Sequence, residues 1–157
     1  MNRAATIAAC ILVAFLPALT GFISRPDSWY EALIKPPLQP PSWVFGPVWM
    51  VLYFLTGLAY GLFTVAKPRI PVASKIPGHC FFIIQLALNA AWTPLFFGLR
   101  SPLFAGVEIL FLLAFIAATI QAFFAVSRAA GYLLIPYFAW VAFATYLNWG
   151  VVSLNRG

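Results

Sequence analysis

The sequence predicts an all-α membrane protein: a bundle of five transmembrane helices with a short helix in the first loop. Three observations carry this. The 157 residues are 64% hydrophobic and only 8% charged, where an ordinary soluble domain carries about 25% charged residues. Apolar runs recur that approach the ~20 residues needed to cross a bilayer as a helix. Those runs are apolar on every face, whereas a membrane β-barrel alternates apolar and polar residues in strands of ~10. A single domain over residues 1–157, with no soluble module, is expected.

Span 1 is expected over about 4–23. It follows Arg3 and exceeds the ~7–15-residue apolar core of a cleaved signal, so it is read as a span. Pro17 should bend it. Residues 25–41 form the first loop. There Ser28-x-x-Glu31 is a capping-box pattern that predicts a helix over Trp29 to Ile34. Lys35 and Pro36 stop that helix. Pro36-Pro37 and Pro40-Pro41 then make a stiff strap, because proline fixes φ and cannot donate a backbone hydrogen bond. Trp29 and Trp49 flank the strap, and indoles favour places where one side is apolar and the other wet. The loop is read as an ordered lid over a membrane-embedded pocket.

Span 2 is expected over about 42–66, with Pro47 early enough to be harmless. Trp49, Tyr53, Thr56 and Tyr60 share one helix face. Gly57-x-x-x-Gly61 makes a groove for a neighbouring helix. A polar connector, Lys67 to Lys75, leads to span 3 over about 76–97. On that span Gln85, Asn89, Trp92, Thr93 and Phe96 share a face, and Pro94 should kink the end. Gly98 to Ser101 can only reverse the chain, so span 4, about 102–126, lies antiparallel beside span 3. Span 4 carries a small-residue stripe at Ala114, Ala118 and Ala122. Span 5, about 131–153, puts Tyr137, Trp140, Ala144 and Asn148 on one face.

Amides in lipid are costly without partners, so the polar faces of spans 2, 3 and 5 should turn toward one another. Trp49, Tyr53, Trp92, Tyr137 and Trp140 would then line a cavity closed by Trp29 and Tyr30. Such walls suit a flat aromatic molecule. The competing reading is plain helix packing, with Asn and Thr as interhelical glue.

The net charge of +6 is spread singly over span ends. This is the pattern of interface anchors and not of a nucleic-acid site. One histidine, two cysteines and three acids stand at no metal-ligand spacing and form no Ser–His–acid set. No metal site is expected. Glu108 has two readings: a functional acid at membrane depth, or a group that reaches the headgroups or pairs with Arg100, which is preferred. His79 is read as an interface residue before a haem ligand. Cys10 and Cys80 are read as free buried thiols before a disulfide. Arg3, Lys67, Arg69, Lys75 and Arg128 would share the amino-terminal side, against Arg25, Lys35, Arg100 and Arg156 opposite. That bias places the amino terminus in the cytoplasm and the lid outside.

Four stretches carry a family resemblance. They are Trp29-Tyr30-x-x-Leu33-x-Lys35-Pro36, Pro40-Pro41-x-Trp43-Val44-Phe45-x-x-Val48-Trp49, Leu88-Asn89-x-x-Trp92-x-Pro94-Leu95-Phe96-Phe97, and Pro136-Tyr137-x-x-Trp140-x-x-Phe143-Ala144-x-x-Leu147-Asn148. In this order, over nearly the whole chain, the sequence resembles the tryptophan-rich sensory protein/translocator protein (TspO) family, also called the peripheral benzodiazepine receptor. The resemblance implies a five-helix bundle, commonly a homodimer. It implies binding of protoporphyrin, haem and synthetic isoquinoline and benzodiazepine ligands, with no cofactor required. Carried over by motif, the ligand site would involve Trp29, Tyr30, Trp49, Tyr53, Asn89, Trp92, Thr93, Tyr137, Trp140 and Ala144. Animal members carry a sterol segment with a tyrosine followed by an arginine in the last helix. Here Trp149 follows Asn148 and Ser153 holds the later position, so the resemblance implies a member of a bacterial cell membrane and does not extend to sterol transport.

Three functions follow as expectations. The first is a membrane receptor or carrier for tetrapyrroles. The second is a light- and oxygen-dependent porphyrin-degrading enzyme, with Trp29 and Trp140 as electron donors. The third is a dimeric scaffold, joined through the alanine stripe or the Gly57/Gly61 groove.

Overall fold

The structure is a computed structural model that describes residues 2–67 and 75–155. Most of the connector between spans 2 and 3, with Arg69, lies outside the described residues, as does Arg156. Five helices are long and apolar enough to cross a membrane: Arg3–Ile23, Ser42–Val65, Ile76–Gly98, Pro102–Val126 and Arg128–Leu154. Among the described residues there is no strand.

Prolines decide where these helices break. Span 1 consists of α1 (Arg3–Ala14) and α2 (Thr20–Ile23), joined by a tight turn over Leu16–Leu19. Pro17 has no N–H to donate into the ladder. The backbone tightens around it, with the Ala18 N–H donating to the Phe15 carbonyl at 3.0 Å. After the lid helix α3 (Ser28–Ala32), span 2 is the unbroken α4 (Ser42–Val65). Span 3 is α5 (Ile76–Thr93) followed by a wide turn over Pro94–Gly98. There the Leu99 N–H reaches back five residues to the Pro94 carbonyl, at 2.8 Å, so the expected kink is a widening. Span 4 is α6 (Pro102–Val126). Span 5 is α7 (Arg128–Leu133) and α8 (Ile135–Leu154), interrupted at Leu134 just before Pro136.

The spans form a ring. Span 1 lies along span 2, and span 2 meets span 5 through α7. Span 5 packs on span 4, span 4 on span 3, and span 3 closes the ring on the Leu16–Leu19 turn and α2. The half of the bundle away from the lid is filled by aromatic rings. Tyr60 stacks on Phe82 with centroids 3.8 Å apart, and Phe63 on Phe123 at 4.2 Å.

Close approach between spans 1 and 2 depends on two glycines. A Cβ on Gly57 would stand 2.5 Å from the Ile11 Cα, and one on Gly61 2.9 Å from the Ile7 Cα. The groove is therefore filled within the chain, which corrects its reading as a dimer face. On span 4, Ala114 is exposed while Ala118 and Ala122 are half-buried. Lys75 is buried, although it reads as a connector end in the sequence. Its Nζ donates to the carbonyls of Phe63, Thr64 and Ala66 at 3.0, 3.3 and 2.9 Å. It thus caps the open carbonyl end of α4.

The glycine contacts lead to a stability prediction. Gly57→Ala forces its Cβ into the Ile11 backbone and should cost about 1–3 kcal/mol. Gly46→Ala, whose Cβ meets nothing within 4 Å, should leave stability nearly unchanged. Thermal unfolding in detergent compares the two, and equal melting temperatures would contradict the packing.

Candidate ligand-binding cavity

A chain of side-chain hydrogen bonds sets how spans 2, 3 and 5 face one another. The Tyr53 hydroxyl donates to Asn89 Oδ1 at 3.1 Å, and Asn89 Nδ2 donates to the Tyr137 hydroxyl at 3.1 Å. The Tyr137 hydroxyl donates in turn to Gln85 Oε1 at 2.9 Å. Nearer the lid, Trp92 Nε1 donates to Asn148 Oδ1 at 3.1 Å, and Asn148 Nδ2 to the Pro102 carbonyl at 2.7 Å. Asn89, Asn148, Gln85 and Tyr137 are all buried. A buried amide left unpaired in hydrocarbon would cost several kcal/mol, by rough estimate, so these bonds orient the three helices.

Between those faces and the lid lies a cavity of about 450 Å³. Ligand pockets typically measure ~300–1,000 Å³. All five spans reach it. Span 1 contributes Pro17, Ala18, Gly21 and Phe22, and span 2 contributes Phe45, Trp49 and Tyr53. Asn89, Trp92, Thr93 and Phe96 come from span 3, Ile109 and Leu112 from span 4, and Trp140, Ala144 and Asn148 from span 5. No charged side chain lines it among the described residues. Trp49 stacks on Tyr53 with centroids 5.4 Å apart, and Trp140 meets Phe45 edge-on at 5.9 Å. The Trp140 Nε1 is buried and has no hydrogen-bond partner among the described residues.

Of the ten residues expected around a ligand, eight line this cavity: Tyr30, Trp49, Tyr53, Asn89, Trp92, Thr93, Trp140 and Ala144. Two stand behind it. Tyr137 lies in the core, 2% exposed, holding Asn89. Trp29 packs edge-on against Phe96 at 6.1 Å and bolts the lid to span 3.

The lid helix begins one residue earlier than the capping-box pattern suggests. Asp27, not Ser28, is its N-cap, accepting from the Tyr30 N–H at 3.3 Å, and the helix ends at Ala32. The Lys35 ammonium closes it, donating to the Tyr30 carbonyl at 3.0 Å and standing 4.7 Å from the Tyr30 ring centroid. Three clips hold the lid to the bundle. Arg100 Nη2 pairs with Asp27 Oδ2 at 2.8 Å. The Asn155 amide both accepts from the Ile34 N–H and donates to its carbonyl, each at 2.9 Å. The Tyr146 hydroxyl donates to the Pro37 carbonyl at 3.1 Å. Pro36 lies so close to Gly150 that a Cβ there would stand 2.5 Å from the proline.

These clips were missed in the sequence. Asn155 reads as tail and Gly150 as one more small residue. The Asp27–Arg100 pair bridges residues 73 positions apart. It overturns the preferred pairing of Glu108 with Arg100. Glu108 is buried, 9% exposed, and neither carboxyl oxygen has a partner among the described residues. His79 lies away from the cavity, its Nδ1 3.0 Å from the Tyr60 hydroxyl. Both cysteines are free, but only Cys10 is buried, while Cys80 is exposed on span 3.

Fold and cavity together define a class: an integral membrane protein of five helices around an aromatic-walled chamber beneath a proline-rich lid. The model of the TspO/MBR family matches residues 6–154, and the chain belongs to that family. It is 42% identical over 156 residues to "Tryptophan-rich protein TspO" of Chlorobaculum tepidum, covering 99% of this chain and 96% of the relative. It is 40% identical to "Tryptophan-rich sensory protein" of Cereibacter sphaeroides over 88% of this chain and 84% of that one. To the human "Translocator protein" it is 43% identical, over 82% and 76%.

Two predictions test this geometry. Asn89→Leu removes the link between Tyr53 and Tyr137 and should cost about 1–3 kcal/mol, because it strands a buried hydroxyl; thermal unfolding measures it. The second concerns the lid. Burial works against the Asp27 charge, but the Tyr30 N–H and the Arg100 guanidinium outweigh it and hold the carboxyl below its ordinary 3.8. The ion pair should therefore persist at and above pH 3.8 and be lost only as the pH falls below that value. With Cys10 and Cys80 replaced by alanine, a spin label at Glu31→Cys should become mobile only in that acid range. With Asp27→Asn, which keeps the cap and removes the charge, it should be mobile at neutral pH.

Proposed function

We propose that this chain is a membrane receptor or carrier for tetrapyrroles, protoporphyrin and haem among them, held in the chamber beneath the lid. The observation that carries the reading is the chamber itself: about 450 Å³, apolar, aromatic on several sides, with a few polar groups that could orient a flat ligand. Trp49, Trp92 and Trp140 offer ring faces for stacking. The names of the relatives, a sensory protein and a translocator, agree with a receptor or carrier. Isoquinoline and benzodiazepine ligands fit the same walls. The setting we infer is a bacterial cell membrane with the amino terminus cytoplasmic, and a homodimer in which the span 4 alanines face the second copy.

A second reading is favoured by one placement. Trp140 stands in the cavity wall, where it could give an electron to a photoexcited porphyrin. Trp29, the other candidate donor, stands behind the wall and could act only through Phe96.

Titration with protoporphyrin in lipid nanodiscs, read by tryptophan quenching, tests the receptor. Saturable quenching is expected, weakened about tenfold, or ~1.4 kcal/mol, by Trp49→Ala. A linear, non-saturating signal would end the reading. Illumination of the same complex separates the two functions: a product spectrum lost in Trp140→Phe marks the enzyme, and an unchanged spectrum leaves the receptor.

A further inference from the structure

The chamber lies beneath a clipped lid and is lined on one side by exposed residues of α2 and α4. On the water side the lid is clipped by Asp27–Arg100, Ile34–Asn155 and Pro37–Tyr146. On the lipid side, the Leu16–Leu19 turn redirects span 1. Below the turn, Gly57 and Gly61 hold α4 against α1. Above it, the neighbours of α2 are span 3 and the turn itself. Gly21 and Phe22 of α2, and Gly46 and Met50 of α4, all line the chamber. All four are also exposed, Phe22 at 69% and Met50 at 56%. A Cβ on Gly21 or Gly46 would meet nothing within 4 Å. Spans 1 and 2, which touch backbone to backbone below Pro17, thus pack loosely above it.

We propose that apolar ligands enter and leave the chamber sideways, from the hydrocarbon of the membrane, through a window between α2 and α4. The proposal rests on the reading of the chamber as a ligand site. Met50 lies about 12 Å along α4 from Ser42, at ~1.5 Å per residue, so the window reaches into the hydrocarbon of the lid-side leaflet. Its rim is apolar apart from the Arg25 guanidinium, which sits 5.8 Å from the Phe22 ring centroid at the headgroup end. That arrangement suits a flat apolar molecule with an acidic edge: the edge stays at the headgroups beside Arg25 while the ring slides between two glycines. The lid then seals the chamber from water and does not have to open for each exchange. Phe22 is the natural shutter, a large side chain at the rim with lipid on one side and the chamber on the other.

Stopped-flow tryptophan quenching with protoporphyrin in nanodiscs tests the route. Gly21→Phe, which fills the gap, should slow association and dissociation together by about tenfold. Phe22→Ala should speed both, and Asp27→Asn, which breaks one of the three clips of the lid, should change neither. Wild-type rates in Gly21→Phe, with faster exchange in Asp27→Asn, would overturn the window in favour of the lid. A second measurement needs no ligand. In a chain with Cys10 and Cys80 replaced by alanine, Ala144→Cys on the chamber wall should react with a membrane-soluble maleimide, and Gly21→Phe should slow that reaction. Equal labelling would overturn the window. If wild type shows no saturable quenching, the receptor reading fails, while the labelling still decides the route.

Discussion

In hydrocarbon there is no water to satisfy an amide, and this governs the arrangement of the bundle. Asn89 and Asn148 each find two partners within the protein. Once Asn89 is bonded to both Tyr53 and Tyr137, the rotation of spans 2, 3 and 5 about their own axes is no longer free. The aromatic residues on those same faces, Trp49, Trp92 and Trp140, are carried inward by that rotation. The chamber is therefore a by-product of polar satisfaction: aromatic side chains brought together by amides leave a space that neither fills.

Proline supplies the second constraint. Each missing N–H weakens one helix at one point, and the bundle uses the weak points for shape. At Pro17 span 1 turns away from span 2 and toward span 3, so packing that is tight at Gly57 is lost by Gly46. At Pro94 the helix widens and presents Phe96 and Phe97, on which Trp29 and Tyr30 of the lid rest. In the strap, the paired prolines keep the chain extended across span 5, where Gly150 leaves room for Pro36. Leu38, between these pairs, is forced to a φ of 67°, a left-handed backbone that L side chains adopt only at a cost of about 1–2 kcal/mol. The clips at Ile34 and Pro37 fix the chain just before it.

Polar groups without partners stand out against so much satisfaction. Trp140 Nε1, Gln85 Nε2 and both Glu108 carboxyl oxygens are buried and lack partners among the described residues. A carboxyl so placed is costly in a membrane, and Arg100, the base expected to meet it, is already engaged by Asp27.

Composition and periodicity alone determined that the chain is a five-span helical membrane protein, that Pro17 and Pro94 disturb its helices, and which faces turn inward. These are local properties: a run of apolar residues, a missing N–H and a 3.6-residue repeat act within one helix. The same repeat brought Trp49, Tyr53, Asn89, Trp92 and Trp140 to one list before any coordinates. It could not separate Tyr137, which supports the wall, from its neighbours that form it, because depth behind a surface depends on what the other helices bring. Nor could it pair Asp27 with Arg100, Ile34 with Asn155, or Gly57 with Ile11. Those contacts join distant segments through the relative placement of whole helices, and only the assembled bundle decides it.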